Sequence, residues 1–108
     1  YAACIGEVDG VRILDSDTVT RASRVESEGE DVILGIPTRF GLGFSLPPML
    51  SPAAGPAAFG HPGAGGSLAF ADPDSGVAFA YVMNQMQLGL TGDRRTETLV
   101  AAVYDSLT

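Results

Sequence analysis

Residues 59–83 read FGHPGAGGSLAFADPDSGVAFAYVM, and this stretch decides the fold. Two apolar runs, 67–71 and 77–83, flank the segment DPDSG at 72–76. Proline fits the second position of a type I turn, and glycine supplies the positive φ that such a connection needs. The pattern therefore predicts two antiparallel strands joined by a five-residue turn.

Large and small side chains alternate along both predicted strands. Because successive side chains of a strand lie on opposite faces, one face of the hairpin is large and the other is small. Both faces are apolar, so both need a covering layer. Leu99, Val103 and Leu107 recur at a spacing of four. They predict a helix from Asp93, its N-cap, to Leu107, which is the obvious cover.

A glycine-dense turn over 59–66 carries the only histidine of the chain, His61. Glycine lets backbone amides approach a ligand closely because no Cβ intervenes. We therefore expect an active-site edge at this turn. A nucleotide-phosphate loop is excluded, because GxxxxGK[ST] needs a lysine, which the chain lacks, and because 63–66 has no third glycine at the offset of GxGxxG.

The N-terminal third is predicted to contain two helical pieces. Residues 1–5 are typical of the last turn of a helix that ends at a glycine C-cap, Gly6. A second helix is predicted over 17–25, with Ser16 or Asp15 as its cap.

The middle of the chain is predicted to hold an acidic loop, two short strands and a long loop. Residues 26–31 carry four carboxylates without the alternating ligand spacing of a calcium loop, so a solvated loop is favoured over a Ca²⁺ site. The apolar segment 32–36 and the alternating segment 39–46 predict strands. Residues 47–60 hold four prolines and no periodicity, which predicts a loop.

Length and composition set the outer limits. The 108 residues hold one small domain, and the predicted elements make it α+β, an antiparallel sheet with helices packed on it. The formal charge of −7 repels phosphate backbones, so nucleic acid is not an expected partner. The longest apolar run, 77–83, is too short to cross a bilayer, and we expect no signal peptide.

Cysteine usage points away from metal and redox chemistry. Cys4 is the single cysteine, so there is neither an internal disulfide nor a metal-ligand spacing, and a small buried apolar role is expected. We expect no cofactor and no metal. The sequence does not fix the compartment, and a cytoplasmic location is the working expectation.

The order of these features resembles the C-terminal portion of the serine β-lactamase-like hydrolases, which include class C β-lactamases, penicillin-binding peptidases and related esterases. His61-Pro62-Gly63 resembles the H-x-G form that replaces the third motif, KTG, in the esterase-like branch. Residues 39–44, RFGLGF, resemble the family's aromatic-Gly-Leu-Gly-aromatic strand. The likeness runs from about Gly6 to Leu107. It implies a single partial domain over 1–108, the C-terminal part of a β-lactamase-like fold.

This resemblance implies roles for four residues. The Ala64 N–H is the candidate donor to the oxyanion of a tetrahedral intermediate, and Gly63 permits close approach of the substrate. His61 stands where the family's Lys or His assists proton transfer or binds the substrate. Asn84 faces the same cleft or, equally, is a turn residue.

The other motifs of the family are not found among these residues. S-x-x-K needs a lysine, and Tyr81 and Asn84 are one residue too far apart for Y-x-N. The resemblance therefore implies a segment of a larger serine hydrolase, inactive alone, whose nucleophile lies outside 1–108. It also implies that the edge of the strand from Val77 to Met83 lacks a neighbour. The missing N-terminal part, or a second copy of the chain, is the expected partner.

Two other functions stay open at this point. One is a non-catalytic binding or assembly module that uses the apolar hairpin edge. The other is a small α/β-hydrolase fragment, because Gly65-Gly66-Ser67-Leu68-Ala69 differs from GxSxG in its last residue only. A triad of Ser67, His61 and Asp72 is disfavoured, since Ser67 and Asp72 fall on opposite faces of a strand. For the enzyme, the substrate is an ester or amide small molecule; lipid esters, peptides and β-lactams are not distinguished.

Overall fold

The computed structural model describes all residues, 1–108, and contains three helices and five strands. All strand pairs are antiparallel: β1 pairs with β2, and β3, β4 and β5 form a second sheet in that order. The longest helix has 12 residues, and none has the length and apolar character that a membrane crossing requires. The bounds are α1 (Ala2–Ile5), α2 (Ser16–Ala22), β1 (Ser27–Glu30), β2 (Pro37–Phe40), β3 (Phe59–Pro62), β4 (Leu68–Asp72), β5 (Val77–Tyr81) and α3 (Arg94–Asp105).

The predicted hairpin is confirmed as β4 and β5. Phe70 lies opposite Phe79 in the register, and Leu68 lies opposite Tyr81. Gly76 closes the connecting turn with a φ of 68°. The second strand ends at Tyr81, two residues before the predicted end, and the chain then leaves the sheet.

The two faces of the sheet are covered by different helices. The large face carries Leu68, Phe70 and Val77, which pack against Val100 of α3 and against Leu50. On the small face of β4, Ala71 belongs to a second buried cluster that α1 and α2 help to form. The predicted layers therefore exist for β4, whereas the small alanines of β5 are exposed.

Hydrogen bonds, and not the spacing of apolar residues, determine where α2 and α3 begin and end. Asp93 caps α3 as predicted, but the helix ends at Asp105, before Leu107. Asp15, one of the two predicted caps, accepts a hydrogen bond from the Thr18 N–H at the start of α2. This helix ends at Ala22 instead of residue 25, because the Ala22 carbonyl accepts the N–H of Leu42 from a distant loop.

The prediction for 26–36 is wrong in two respects. The acidic residues are solvated, as expected, but Ser27–Glu30 form an exposed strand, β1, that pairs with β2. The apolar segment 32–36 is not a strand; it is the turn between β1 and β2, and Val32 is 94% exposed. Asp31 causes this, because its Oδ1 accepts the N–H groups of Ile33 and Leu34 and fixes a turn.

Two further boundaries are corrected. The strand predicted over 39–46 ends at Phe40, and a glycine turn brings Ser45 back beside Phe40. Phe59–Pro62, predicted as loop and turn, is a strand, β3, whose other neighbour is Ser45 through a bridge to Gly60. The glycine-dense turn is thus confined to residues 63–66, between β3 and β4.

Candidate active site

The side chain of His61, in β3, is exposed. It lies opposite Ala69 in the register, on the face of the small side chains, and its ring centroid is 6.1 Å from that of Phe40. The imidazole Nδ1 is 2.6 Å from the Pro62 carbonyl oxygen. Since a carbonyl only accepts, Nδ1 carries the proton and Nε2 is left as an acceptor. The histidine can therefore accept a proton at Nε2.

Between β3 and β4 the N–H groups of Ala64 and Ser67 have no hydrogen-bond acceptor, and the Ala64 N–H is the one within the glycine-dense turn at 63–66. The N–H groups of Gly63, Gly65 and Gly66 donate to Ser67 O, Gly89 O and Gly63 O, at 2.7, 3.1 and 3.2 Å. The Ala64 N–H donates to no acceptor in the chain, and Ala64 is exposed. A free backbone donor in a rigid turn is the kind of group that stabilises a developing oxyanion.

Gly63 and Gly66 permit close packing around this turn. A Cβ on Gly63 would overlap the Ser67 hydroxyl oxygen, and a Cβ on Gly66 would overlap the Asp93 carboxylate. Gly66 also has a φ of 115°, which side-chain-bearing residues rarely adopt. Both space and backbone conformation therefore favour glycine at Gly66, whereas at Gly63 only the Ser67 hydroxyl would have to move.

Two shallow depressions flank the turn. One, of about 230 Å³, is lined by His61, Gly63, Ser67 and Tyr81, among others. The other, of about 370 Å³, is lined by Ala64 and Gly65 on one side and by residues 86–90 on the other. His61 and Ala64 therefore lie at the same end of the sheet and open onto neighbouring hollows.

A larger cavity than these two hollows lies elsewhere. Its volume is about 410 Å³, and it is lined by residues of α1 and α2 together with Arg12, Arg39 and Asp74. None of the four residues singled out from the sequence contributes to it. Size alone therefore does not mark the site, and we assign the site from the histidine and the free amide.

Asn84 is exposed, in the segment that joins β5 to α3, and lines neither of the two hollows beside the turn. Tyr81, which the sequence analysis considered only for a Y-x-N motif, is half-buried and lines the hollow with His61. It lies opposite Leu68 in the register of the hairpin.

Ser67, His61 and Asp72 are not assembled as a triad. Asp72 is 1% exposed, and its Oδ2 accepts the Tyr104 hydroxyl at 2.7 Å on the α3 side of the sheet. The imidazole Nδ1 of His61 is engaged by a backbone carbonyl rather than by a carboxylate. No three His, Cys, Asp or Glu side chains lie close enough together to hold a metal ion.

Arg95 ties the turn to the rest of the molecule, and sequence reasoning missed it. Its guanidinium donates to the carbonyls of Gly65 and Gln85, at 3.2 and 2.7 Å, and to the Asp93 carboxylate. The hydrogen bond from Arg95 lowers the pKa of the Asp93 carboxyl, so the pair stays ionised at neutral pH. No sequence signal pointed to it, because Gly65 is 30 residues away in the chain.

A family model described as Beta-lactamase matches residues 1–103. A curated relative, "Esterase/beta-lactamase LipL" of Mycobacterium tuberculosis (strain ATCC 25618 / H37Rv), is 40% identical over 82 residues. The matched part is 75% of this chain and 18% of that protein.

Solved structures show the same fold at a TM-score of 0.85. A family VIII carboxylesterase is 35% identical, with 96% of this chain and 28% of that chain covered. EstA from Arthrobacter nitroguajacolicus Rue61a is 32% identical, with 99% and 30% covered. A penicillin-binding protein homologue from Caulobacter crescentus is 38% identical, with 97% and 29% covered. The chain spans less than a third of each of these proteins.

Proposed function

The chain belongs to the β-lactamase family, and from this premise we propose that residues 1–108 supply one wall of a serine hydrolase active site that acts on esters. The nucleophilic serine and its base lie in polypeptide beyond these residues, because S-x-x-K needs a lysine and the sequence has none. In this proposal the segment alone is inactive.

The proposed chemistry is acyl transfer through a covalent intermediate. The serine oxygen bonds to the ester carbonyl carbon, and the carbonyl oxygen gains negative charge, which the free Ala64 N–H stabilises. When the tetrahedral intermediate collapses, the bond to the alcohol breaks and the alcohol takes up a proton. The serine gives its proton to its base, and His61 Nε2 accepts that proton and passes it to the alcohol oxygen. Water then adds to the acyl carbon, the bond to the serine oxygen breaks, and the acid leaves as the serine recovers a proton.

The free amide of Ala64 at the same end of the sheet as His61 is the observation that carries this proposal. The relatives support ester chemistry, since LipL is described as an esterase/β-lactamase and the family VIII protein as a carboxylesterase. Amide substrates, β-lactams and peptides included, are the second choice, which the penicillin-binding protein homologue favours.

The test is nitrophenyl-ester turnover by the complete polypeptide that carries this segment. We expect His61→Ala to lower kcat about 10²- to 10⁴-fold. Ala64→Pro removes the N–H and should cost about 10²- to 10³-fold, whereas Ala64→Gly keeps the N–H and should stay near wild type. Activity that is unchanged in both His61→Ala and Ala64→Pro would refute the proposal. Val32→Ser, in the exposed turn between β1 and β2, is the control for nonspecific effects.

We also propose that β5 pairs along its outer edge with a strand outside this segment. β5 pairs with β4 only, and Ala78, Ala80 and Val82 beside this edge are exposed. An open apolar edge of this kind attracts a further strand. The partner is a segment of the same longer polypeptide or a second copy, as an assembly module would require.

Hydrogen exchange and sedimentation separate these two partners. Protection of the β5 amides that does not change with protein concentration indicates a segment of the same polypeptide. Protection that rises together with dimer formation indicates a second copy. A monomer whose outward-facing β5 amides exchange freely at high concentration would contradict edge pairing.

A further inference from the structure

We propose that Arg95 is a positioning residue that, fixed by Asp93, holds the turn at 63–66 in the conformation that keeps the Ala64 N–H available to the oxyanion. This inference rests on the proposed function, in which that N–H stabilises the transition state. Arg95 lies at the start of α3 and lines neither hollow beside the turn, so it acts through the backbone and not on the substrate.

Two peptide units connect Arg95 to the Ala64 amide. The first joins Gly65 to Gly66: its carbonyl accepts from Arg95 Nη2 at 3.2 Å and from the Gln87 N–H at 3.0 Å. The N–H of the same unit, on Gly66, donates to the Gly63 carbonyl at 3.2 Å. The second unit joins Gly63 to Ala64, and the Ala64 N–H is its other end. Since each peptide unit is planar, fixing its carbonyl fixes the direction of its N–H.

Asp93 makes this brace rigid. Its carboxylate binds the Arg95 side chain through Nε and Nη2, and it also accepts the Arg95 backbone N–H at 2.9 Å while capping α3. Arg95 Nη1 meanwhile donates to the Gln85 carbonyl at 2.7 Å. The guanidinium therefore joins the turn, the segment after β5 and the start of α3, which its planar set of donors can do and a lysine ammonium cannot.

Kinetics on the complete polypeptide test the brace. We expect Arg95→Ala to lower kcat for a nitrophenyl ester about 10- to 100-fold, a part of what losing an oxyanion donor costs, with KM changed less than about twofold. Arg94→Ala is the matched control, because the neighbouring Arg94 is exposed and its side chain makes no hydrogen bond or ion pair. Arg95→Gln keeps a side-chain donor and serves if Arg95→Ala does not fold.

A double mutant separates positioning from general stability. In an Ala64→Pro background the N–H is absent, so adding Arg95→Ala should lower kcat little further. A full additional loss in that background, or a wild-type kcat in Arg95→Ala, would overturn the inference.

Hydrogen exchange gives a readout that does not depend on catalysis. Arg95→Ala should speed exchange of the Gly66 amide, whose hydrogen bond to Gly63 O depends on the brace, and Arg94→Ala should not. An unchanged Gly66 rate overturns the inference. If the wild-type polypeptide does not turn over esters but Arg95→Ala still speeds exchange of the Gly66 amide, the proposed function alone is refuted.

Discussion

The two turns of the three-stranded sheet obtain their hydrogen bonds from different places. In the turn between β4 and β5, the Asp74 N–H and the Ser75 hydroxyl both bond to Asp72, within three residues along the chain. In the turn between β3 and β4, the Gly65 N–H bonds to Gly89 and its carbonyl to Arg95. The hydrogen bonds of the first turn are local, whereas the second turn combines local bonds with bonds to distant parts of the chain.

This difference matches the roles we give the two turns. A turn whose hydrogen bonds close within three residues needs only its own residues, and DPDSG supplies them. The turn at 63–66 instead carries hydrogen bonds to Gln87, Gly89 and Arg95, so distant segments constrain the peptide units next to the Ala64 amide. The Ser75 and Gly76 N–H groups of the other turn are also unpaired, so it is this outside support, and not a free amide, that distinguishes the turn at 63–66.

Replacing one glycine of each turn with alanine, Gly66 or Gly76, gives the largest expected difference in stability between the two turns. At Gly66 a Cβ meets the Asp93 carboxylate and the Arg95 guanidinium, and the φ of 115° is strained for any side chain. Strain and overpacking each cost about 1–3 kcal/mol, so we expect Gly66→Ala to lower the free energy of unfolding by about 3–5 kcal/mol.

Gly76→Ala is the matched control for this substitution. Gly76 also has a positive φ, 68°, but no atom lies within 4 Å of a Cβ built there, so the expected cost is about 1 kcal/mol. Urea unfolding measures both variants. Equal losses would show that the turn at 63–66 is no more constrained by its surroundings than the turn at 72–76.

Tyr104→Phe removes the one long-range contact of the otherwise local turn, and its expected effect is smaller. The Tyr104 hydroxyl donates to Asp72 Oδ2 and accepts the Gly55 N–H at 3.1 Å. Leaving these buried groups unpaired costs about 1–3 kcal/mol of unfolding free energy. A loss below about 0.3 kcal/mol would mean that the turn at 72–76 is entirely local.

The same tyrosine gives a pH dependence. Burial raises the pKa of Tyr104 above its usual 10.0. The unfolded chain therefore loses the phenol proton first as the pH rises, and stability falls from about pH 10 upward through the folded pKa. Tyr104→Phe should show a smaller alkaline loss than wild type. Burial also raises the pKa of Tyr1, so part of the loss should remain in the variant.

The parts of the fold that could be predicted depend on local rules. The hairpin of β4 and β5 and the cap of α3 at Asp93 follow from turn chemistry and periodicity within a few residues. The segment 32–36 was mistaken for a strand, because its apolar side chains pointed to burial although the Asp31 turn leaves them in solvent. β3 was missed, because its own residues, FGHP, do not favour a strand, and its pairing with β4 and with Ser45 forms only in the folded chain.

The residues of the candidate site also divide into those that the sequence predicts and those that only the structure shows. His61, Gly63 and Ala64 could be named from residue types and order, and the structure brings them to one end of the sheet. Asn84 could be named but not placed, since the chain leaves β5 before reaching it. Arg95 could not be named from the sequence, because the Gly65 carbonyl that its guanidinium binds is 30 residues away and comes close only in the folded chain.

The amino-acid sequence by itself determined the central hairpin and the last helix, since each depends on residues close together in the chain, and the order of such elements and motifs along the chain indicated the class of the fold and the family. The tertiary structure alone decided which backbone amide stays free and what holds it there. A hydrogen bond requires that its two atoms be close in space, whatever their separation along the sequence. The bonds between Gly65 and residues 87, 89 and 95 therefore exist only after packing has brought these segments together.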